Sequence, residues 1–512
     1  MRSSTVTGVG KWFAVLAVVP WTLVMCASSG VERTGAEGAA APAVPAVAAL
    51  SAAQTRTNIT NLYIEACAKC HGQRGEGGGG GTRTLLTPEL FDQEHDRRFF
   101  DAIKNGVPEM GMEAYGETLS PEVIWGLVVH IRELQARARR EQTGSVPAVD
   151  GVYTTKRHAY RIETVVDSGL ETPWGIDWLP DGRMLVTNRP GYMLVVRNGQ
   201  VEGRVEDMPA NIEIGQGGLM DVAVHPDYAR NGWIYLAVND PSENRNRAGI
   251  TKIVRGKLRF DGGRIRWTDQ QTIFQCDPRD YTGAGVHFGA RIVFDGKGNI
   301  FFPIGDRGNQ NLAQDLRRPN GKTFRVREDG TIPPDNPFVG RTIEGEKALD
   351  AVWSYGHRNP QGLVFDLEGN LWNTEHGPRG GDELNLIQRG ANYGWPIVAF
   401  SINYNDSPFA TPWPKDGQDL AMPVYRWLPS IGACGLAVVK GPMFSRWRGD
   451  LLAGGLSGAN IDRIRVANGK MVEREEIFHG HGRVRDVKVH RDGSIYVALN
   501  GPDKIVRIVE VR

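Results

Sequence analysis

From Gly175 onward the chain repeats one arrangement of apolar and polar positions: an alternating apolar run, a turn rich in Asp and Gly, and a second alternating run. The unit occurs at Gly175 to Thr187, Asp221 to Asn239, Arg291 to Gly305, Gly362 to Thr374 and Asp486 to Leu499, and more weakly at Phe444 to Leu456. Period-two alternation predicts half-buried strands, and turns such as Pro180-Asp181-Gly182 and Arg491-Asp492-Gly493 predict hairpins between them. Trp178, Val224, Val293, Val364 and Val489 occupy equivalent apolar positions before the turns. Six copies in roughly 355 residues leave about sixty residues each, more than the roughly forty of a minimal four-stranded blade, so long loops are inserted between strands. A six-bladed β-propeller is the simplest closure, with Tyr160 to Val166 pairing with Lys504 to Val511 to remove the sheet edges. A β-sandwich array is the alternative, and it would repeat less regularly.

Helical spacing is confined to the N-terminal side. Ser120 and Pro121 form an N-cap and first-turn pair, and Val123, Leu127, Ile131 and Leu134 then recur on one helical face, with a shorter helix predicted at Phe99 to Lys104. The expected fold class is therefore mainly β: a six-bladed propeller over residues 156–512, preceded by a small all-α domain at 55–140 and a polar connector at 141–155. Ahead of these, Arg2 and Lys11 precede an apolar run from Phe13 to Ala27 that reads as a secretory signal peptide over residues 1–28, followed by an Ala/Pro-rich linker at 29–54. The run, about fifteen residues, is shorter than the 18 to 20 that span a bilayer. A retained N-terminal anchor is the alternative, as is lipidation of Cys26, although Met25 stands where a small residue is wanted. No other long apolar segment exists, so the mature chain is expected to be periplasmic with no membrane span. A net charge of +1 over 512 residues excludes a nucleic-acid partner held by bulk charge, and 64 Gly with 29 Pro add weight to many short strands and tight turns.

Cys67-Ala68-Lys69-Cys70-His71 is a C-x-x-C-H pattern, in which two thiols bond covalently to the vinyl groups of heme c and the adjacent imidazole ligates its iron. A redox dithiol or half a zinc site would use the same residues, but no second Cys pair lies near enough to complete a zinc shell. Met112 in the glycine-punctuated loop Gly111 to Gly116 is the candidate second axial ligand, with Met110 its competitor. The stretch 55–140 resembles a class I cytochrome c domain.

Four further clusters are dense, polar and flanked by glycine: Gly215-Gln216-Gly217-Gly218, Val286 to Arg291, Gly356 to Gly362, and Gly482 to Asp486. Each lies beside a repeat strand, where propeller loops gather round the central channel. Facing one channel, their arginines and histidine would form a positive, partly desolvated pocket for a multiply anionic ligand with a base beside it. Taken singly, each has a plainer reading as a satisfied structural histidine or surface arginines.

Together with Ile304-Gly305-Asp306-Arg307-Gly308, Pro333 to Phe338 and Asn392-Tyr393-Gly394-Trp395-Pro396, these motifs run in order through a chain that resembles the soluble glucose/sorbosone dehydrogenases, which bind pyrroloquinoline quinone and calcium (Ca2+) and oxidise aldose sugars. The resemblance implies that His287 is the general base, with Gln216 beside the substrate. It implies that Arg358 and Asn359 hold the quinone oxygens, Arg483 and Arg485 its carboxylates, and that Ser430 touches it. The carbonyls of Gly377 and Pro378 would ligate the calcium at the cofactor, and Glu383 with the backbone at Tyr393 a second, structural calcium. Asp382 and Glu383 also read plainly as solvated loop acids.

Two positions depart from the family pattern. Ser457 stands where some relatives offer a lysine to the cofactor, and Cys434 replaces a small hydroxyl residue. Cys434 and Cys276 are either a disulfide or two buried thiols. The cytochrome fusion implies that the heme, tethered by a short linker at high effective concentration, takes electrons from the quinone and passes them to a downstream periplasmic acceptor. The expected activity is thus that of an exported quinohemoprotein oxidising aldoses or related polyols and alcohols. A non-enzymatic propeller recognition module with an electron-transfer cytochrome is the alternative. A two-heme nitrite reductase would need about eight blades and a second heme motif.

Overall fold

The computed structural model describes residues 57–78, 84–143 and 150–511. The apolar run Phe13 to Ala27, Cys26 and the Ala/Pro-rich stretch lie outside the described residues, and among those described no helix is long and apolar enough to cross a membrane.

Six antiparallel blades follow one another round a ring, each of four strands except the last, whose outer strand also pairs with the short Tyr153–Thr154. Blade 1 is formed by Pro173–Trp178, Met184–Asn188, Tyr192–Arg197 and Gln200–Glu206, and blade 2 by Leu219–Val224, Ile234–Pro241, Gly249–Asp261 and Arg264–Phe274. Their outermost strands touch through a short parallel pairing at Ile265 and Val205. Blade 3 comprises Val293–Phe294, Asn299–Ile304, Lys322–Arg327 and Val352–Tyr355, and blade 4 comprises Pro360–Phe365, Leu371–Glu375, Asp382–Ile387 and Tyr425–Trp427. Blade 5 is Ala433–Val438, Leu451–Gly455, Asn460–Ala467 and Lys470–His479. In blade 6, Arg483–Val489, Ile495–Asn500 and Lys504–Val511 are completed by Ala159–Val166 from the other end of the propeller, with Ile162 opposite Ile508. That pairing joins the two ends and closes the ring. The repeat units map onto the inner and second strands of each blade except in blade 5. There, Phe444 to Leu456 holds a 3-10 turn and the second strand, and the inner strand is the earlier Ala433–Val438.

The second strands are buried along their whole length because both faces meet neighbouring blades. This is why Met184–Asn188, Leu371–Glu375 and Ile495–Asn500 read as apolar runs interrupted by Thr and Asn, of which Thr187, Asn188, Thr374 and Asn500 are hydrogen-bonded through their side chains. At the centre, Arg291 is neutralised by Asp221 at 2.7 Å and Asp486 at 3.0 Å and lies over the ring of Trp174. It ties blades 2 and 6 to the loop entering blade 3, so its charge is spent inside the propeller and does not belong to an anion pocket.

The N-terminal domain has three consecutive helical pieces, Ile59–Leu62, the π-helical Tyr63–Cys67 and Ala68–His71, then Asp96–Asn105 and the closing helix Pro121–Thr143. Ser120 Oγ accepts from the Val123 N–H, and Val123, Leu127, Ile131 and Leu134 are buried in the domain core, as the spacing predicts. This core does not stop at the domain boundary. Phe400 and Ile402 from the long loop of blade 4 are part of it, with Trp125 of the closing helix edge-on to Phe400 and Trp413. The expectation of a merely tethered domain is thus corrected, since the domain is docked on blade 4. The long loop of blade 4 supplies much of the dock.

Cys276 and Cys434 are separate buried thiols and not a disulfide. Cys276 faces the Thr251 carbonyl and Cys434 donates to the Arg485 carbonyl at 3.0 Å.

Candidate active site

His287 sits in a backbone conformation rare outside glycine, with φ +56°, a strain of about 1–3 kcal/mol that the surroundings must hold. They do so from three sides. The buried guanidinium of Arg307 lies 3.3 Å from the centre of the Phe288 ring and donates to the carbonyls of Val286, Ala284 and Gly249. Thr251 donates to the Phe288 carbonyl at 2.7 Å, and the His287 N–H donates to Gln216 Oε1 at 3.0 Å. Gly217 meets the same ring: a Cβ there would fall 2.3 Å from Phe288, which accounts for the Gly-rich segment around Gln216.

The imidazole is oriented by Asp306, whose Oδ1 is 2.6 Å from His287 Nδ1. Asp306 is itself fixed by the Gly308 N–H at 2.8 Å and by Trp395 Nε1 at 2.8 Å. Burial opposes its ionisation, but the hydrogen bond and charge of His287 and the charge of Arg358 outweigh this and hold the carboxyl below its usual range. With Nδ1–H committed to a carboxylate, the other ring nitrogen is left to accept a proton. Burial pushes the His287 pKa below its ordinary value; Arg358 and Arg307 push the same way and Asp306 opposes them. The ring is therefore neutral at pH 7, the state a base requires. Sequence reasoning quoted Asp306 inside a motif without giving it a role; its signal is an acid directly after a buried strand and before the Arg307-Gly308 turn.

Arg358 of blade 4 acts electrostatically on this dyad, and Arg485 of blade 6 lies beyond it, acting with Arg358 and His287 on His376. Arg358 donates to the carbonyls of His376 and Gly377, at 3.2 and 2.9 Å, and its guanidinium lies over Trp395 and Tyr404. Arg485 donates to Asn500, Gln361 and the Cys434 sulfur at 3.2, 3.1 and 3.6 Å. None of these acceptors carries a charge, and desolvation pulls the Arg485 guanidinium below its usual pKa. Asn359 is buried and accepts from Gln361 and from the Gly289 N–H, which connects the arginine wall to the histidine loop. Arg483 is exposed at the start of the blade 6 inner strand. Ser430 donates to the buried Asp382 at 2.7 Å, and Asp382 also accepts from the N–H groups of Gly377 and Ala433. His376, which sequence reasoning passed over, has a buried Nε2 without a partner. Burial and then Arg358, His287 and Arg485 press its pKa well down.

Gly377, Pro378, Glu383 and Tyr393 line a single small cavity with Glu375. Asn385 donates to both carboxylates, at 2.9 and 3.1 Å. Burial, and then the nearby Glu375, raise the Glu383 pKa well above the usual carboxylate range. Among the described residues no cluster of three or more His, Cys, Asp or Glu side chains could hold a metal. Two acids with backbone carbonyls are nevertheless the donor set of a hard cation. In the helical domain, Cys67, Cys70 and His71 follow one another along the helical pieces, Met112 packs against the domain core, and Met110 is 57% exposed.

Residues 170–507 match the family model Glucose / Sorbosone dehydrogenase, and residues 54–131 match Cytochrome C oxidase, cbb3-type, subunit III. The latter is a c-type cytochrome domain, which implies heme c. The chain is similar to the aldose sugar dehydrogenase YliI of Escherichia coli, 38% identical over 340 residues, covering 65% of this chain and 88% of the relative. It is also similar to quinoprotein glucose dehydrogenase B of Acinetobacter calcoaceticus, 31% identical over 266 residues, covering 46% of this chain and 52% of that one. Among solved structures it resembles the apo-form of the E. coli aldose sugar dehydrogenase, with a TM-score of 0.62 and 33% identity over 69% of this chain and 100% of that one. It resembles too the PQQ-bound aldose sugar dehydrogenase of Streptomyces coelicolor, with a TM-score of 0.55 and 27% identity over 69% and 98% of the two chains.

Proposed function

Because the chain belongs to the glucose/sorbosone dehydrogenase family and carries a c-type cytochrome domain, we propose that it is an exported quinohemoprotein oxidising aldose sugars or related polyols at a hydroxyl-bearing carbon. The observation that carries this reading is the His287–Asp306 dyad beside Arg358, whose guanidinium, like that of Arg485, donates only to neutral acceptors. A base near guanidinium groups that donate only to neutral acceptors suits a reaction that removes a proton beside a polyanionic electron acceptor.

Pyrroloquinoline quinone fits this donor set. Arg358 and Asn359 would hold its quinone oxygens, Arg483 and Arg485 its carboxylates, and Ser430 would border it. Calcium would take the carbonyls of Gly377 and Pro378, and Glu383 with the Tyr393 backbone would serve a second calcium. When bound, the quinone supplies the hydride acceptor. His287 takes the proton of the sugar hydroxyl, Asp306 keeps the imidazole in the accepting tautomer, and Gln216 holds both the loop and the substrate side. In the cytochrome domain, Cys67 and Cys70 would bind heme c, with His71 and Met112 on its iron; the half-buried, core-packed position of Met112 supports it over the exposed Met110. Electrons would pass to this heme and then to a periplasmic acceptor.

The test is heme absorption in the purified protein after calcium, the quinone and a panel of aldoses are added. Reduction of the heme should require both additions. If the quinone binds but no sugar or alcohol reduces the heme, the substrate class is wrong; if the quinone does not bind, the dehydrogenase reading falls. A second expectation concerns pH. Since His287 must be unprotonated, kcat/KM should rise with pH through an inflection below the ordinary imidazole value of about 6.5 and be flat at neutral pH. An inflection above 7 would show that another group is the base.

A further inference from the structure

We propose that docking of the heme domain and binding of calcium to blade 4 are thermodynamically coupled, because one segment, Gly377 to Glu383, serves both. The inference rests on reading that segment as shared by the two proposed calcium sites, Gly377 and Pro378 in one and Glu383 in the other. On its inner side, Gly377, Pro378 and Glu383 line the cavity that Glu375 shares. On its outer side the heme domain holds the residues between them. Arg379, directly after Pro378, donates from Nε and Nη2 to Glu133 of the closing helix at 2.9 and 2.7 Å, and from Nη1 to Asp406 at 2.9 Å. At Gly380 (φ +83°) a Cβ would meet Leu428 at 2.7 Å and Val129 of the closing helix at 3.3 Å, so the helix rests almost on the backbone itself.

The far end of the segment is held in the same way. Glu383 lies opposite Arg426 in the strand register, and Arg426 donates to the buried Asp96 of the heme domain, which also binds Arg132. Phe400 closes the circuit, lining the cavity on one side and meeting the Trp125 ring on the other. A cation would draw the two acids together, and the carbonyls of a glycine-rich turn must be aimed before they can ligate. The docked helix imposes that order from outside and the cation from inside. Each therefore reduces the ordering cost that the other meets, and linkage makes the effect reciprocal.

The test titrates calcium chloride into chelator-stripped, heme-loaded full-length protein without quinone, by calorimetry. Glu133→Arg sets a positive charge against Arg379 and should weaken calcium binding roughly five- to tenfold, within the range of ordinary coupling between sites. Glu133→Gln should give a smaller loss in the same direction. An unchanged heme spectrum would show that each variant is folded. In the wild type, which needs no variant, chelation should speed amide exchange in the closing helix several-fold, and calcium should restore protection. Equal calcium affinity in a Glu133→Arg protein whose closing helix exchanges faster would overturn the coupling and leave the calcium site standing. Absence of any calcium uptake by the wild type would remove the site and the coupling with it.

Discussion

His287→Ala is expected to lower sugar-dependent turnover by 10²- to 10⁴-fold, the usual contribution of a positioned general base, while quinone affinity stays within a few-fold of wild type. The partition follows from geometry. His287 is held through its main chain by Gln216 and by the Arg307 clamp on neighbouring carbonyls, so the loop survives loss of the ring. Asp306→Asn tests the same dyad differently. An amide can leave the imidazole in the wrong tautomer, so the rate should fall strongly although the nucleus of the site is intact. The carboxylate also opposes the fall in the His287 pKa, so any residual activity should show its pH inflection at a lower value than wild type. Steady-state rates with an artificial acceptor, measured from pH 5 to 8 beside quinone titrations, decide the point. A His287→Ala enzyme that keeps most of its turnover would mean that the proton leaves by another route.

The architecture was legible because each blade must bury an inner and a second strand between its neighbours, and this imposes the same apolar run and Asp/Gly turn in successive copies. Trp178, Val224 and Val489, which end the inner strands of blades 1, 2 and 6, stand where the repeat places them. Blade 5 blurred the pattern because its first hairpin is interrupted by the 3-10 turn Ser445–Trp447, whose Trp447 is buried under the blade. The inner strand's own signal is the short apolar run Ala433 to Val438, buried along its length.

At the site, local motifs showed which residues were present but not which charges remained available. Arg291 and Arg358 look alike in sequence. Only the fold brings Asp221 and Asp486, distant in the chain, onto the first and leaves the second with carbonyls. The dock of the heme domain was invisible for the same reason. Glu133 and Arg379, or Asp96 and Arg426, are ordinary charged residues until the closing helix is laid on blade 4. A connector of polar residues reads as a tether, whereas the buried Phe400, Ile402 and Trp125 make the two domains share one apolar core.

Arg485→Met should separate stability from function in a way that few site substitutions do. The guanidinium is paired with Asn500, Gln361 and a thiol, none of which repays the loss of water around a cation, and its lowered pKa reflects that cost. A linear thioether of similar length fills the same space without a charge. The quinone-free variant should therefore melt at the wild-type temperature or a few degrees above it. Binding runs the other way. Removal of a charged donor from a polyanionic ligand typically costs about 1.5–3 kcal/mol, so quinone affinity should fall by about 10- to 100-fold. Quinone should accordingly raise the melting temperature of the wild type much more than that of the variant at equal concentration. Differential scanning with and without quinone measures both effects in one series. A variant that is much less stable without quinone would show that Arg485 is a structural residue of the blade 6 inner strand; equal stabilisation by quinone would show that its carboxylates are held elsewhere.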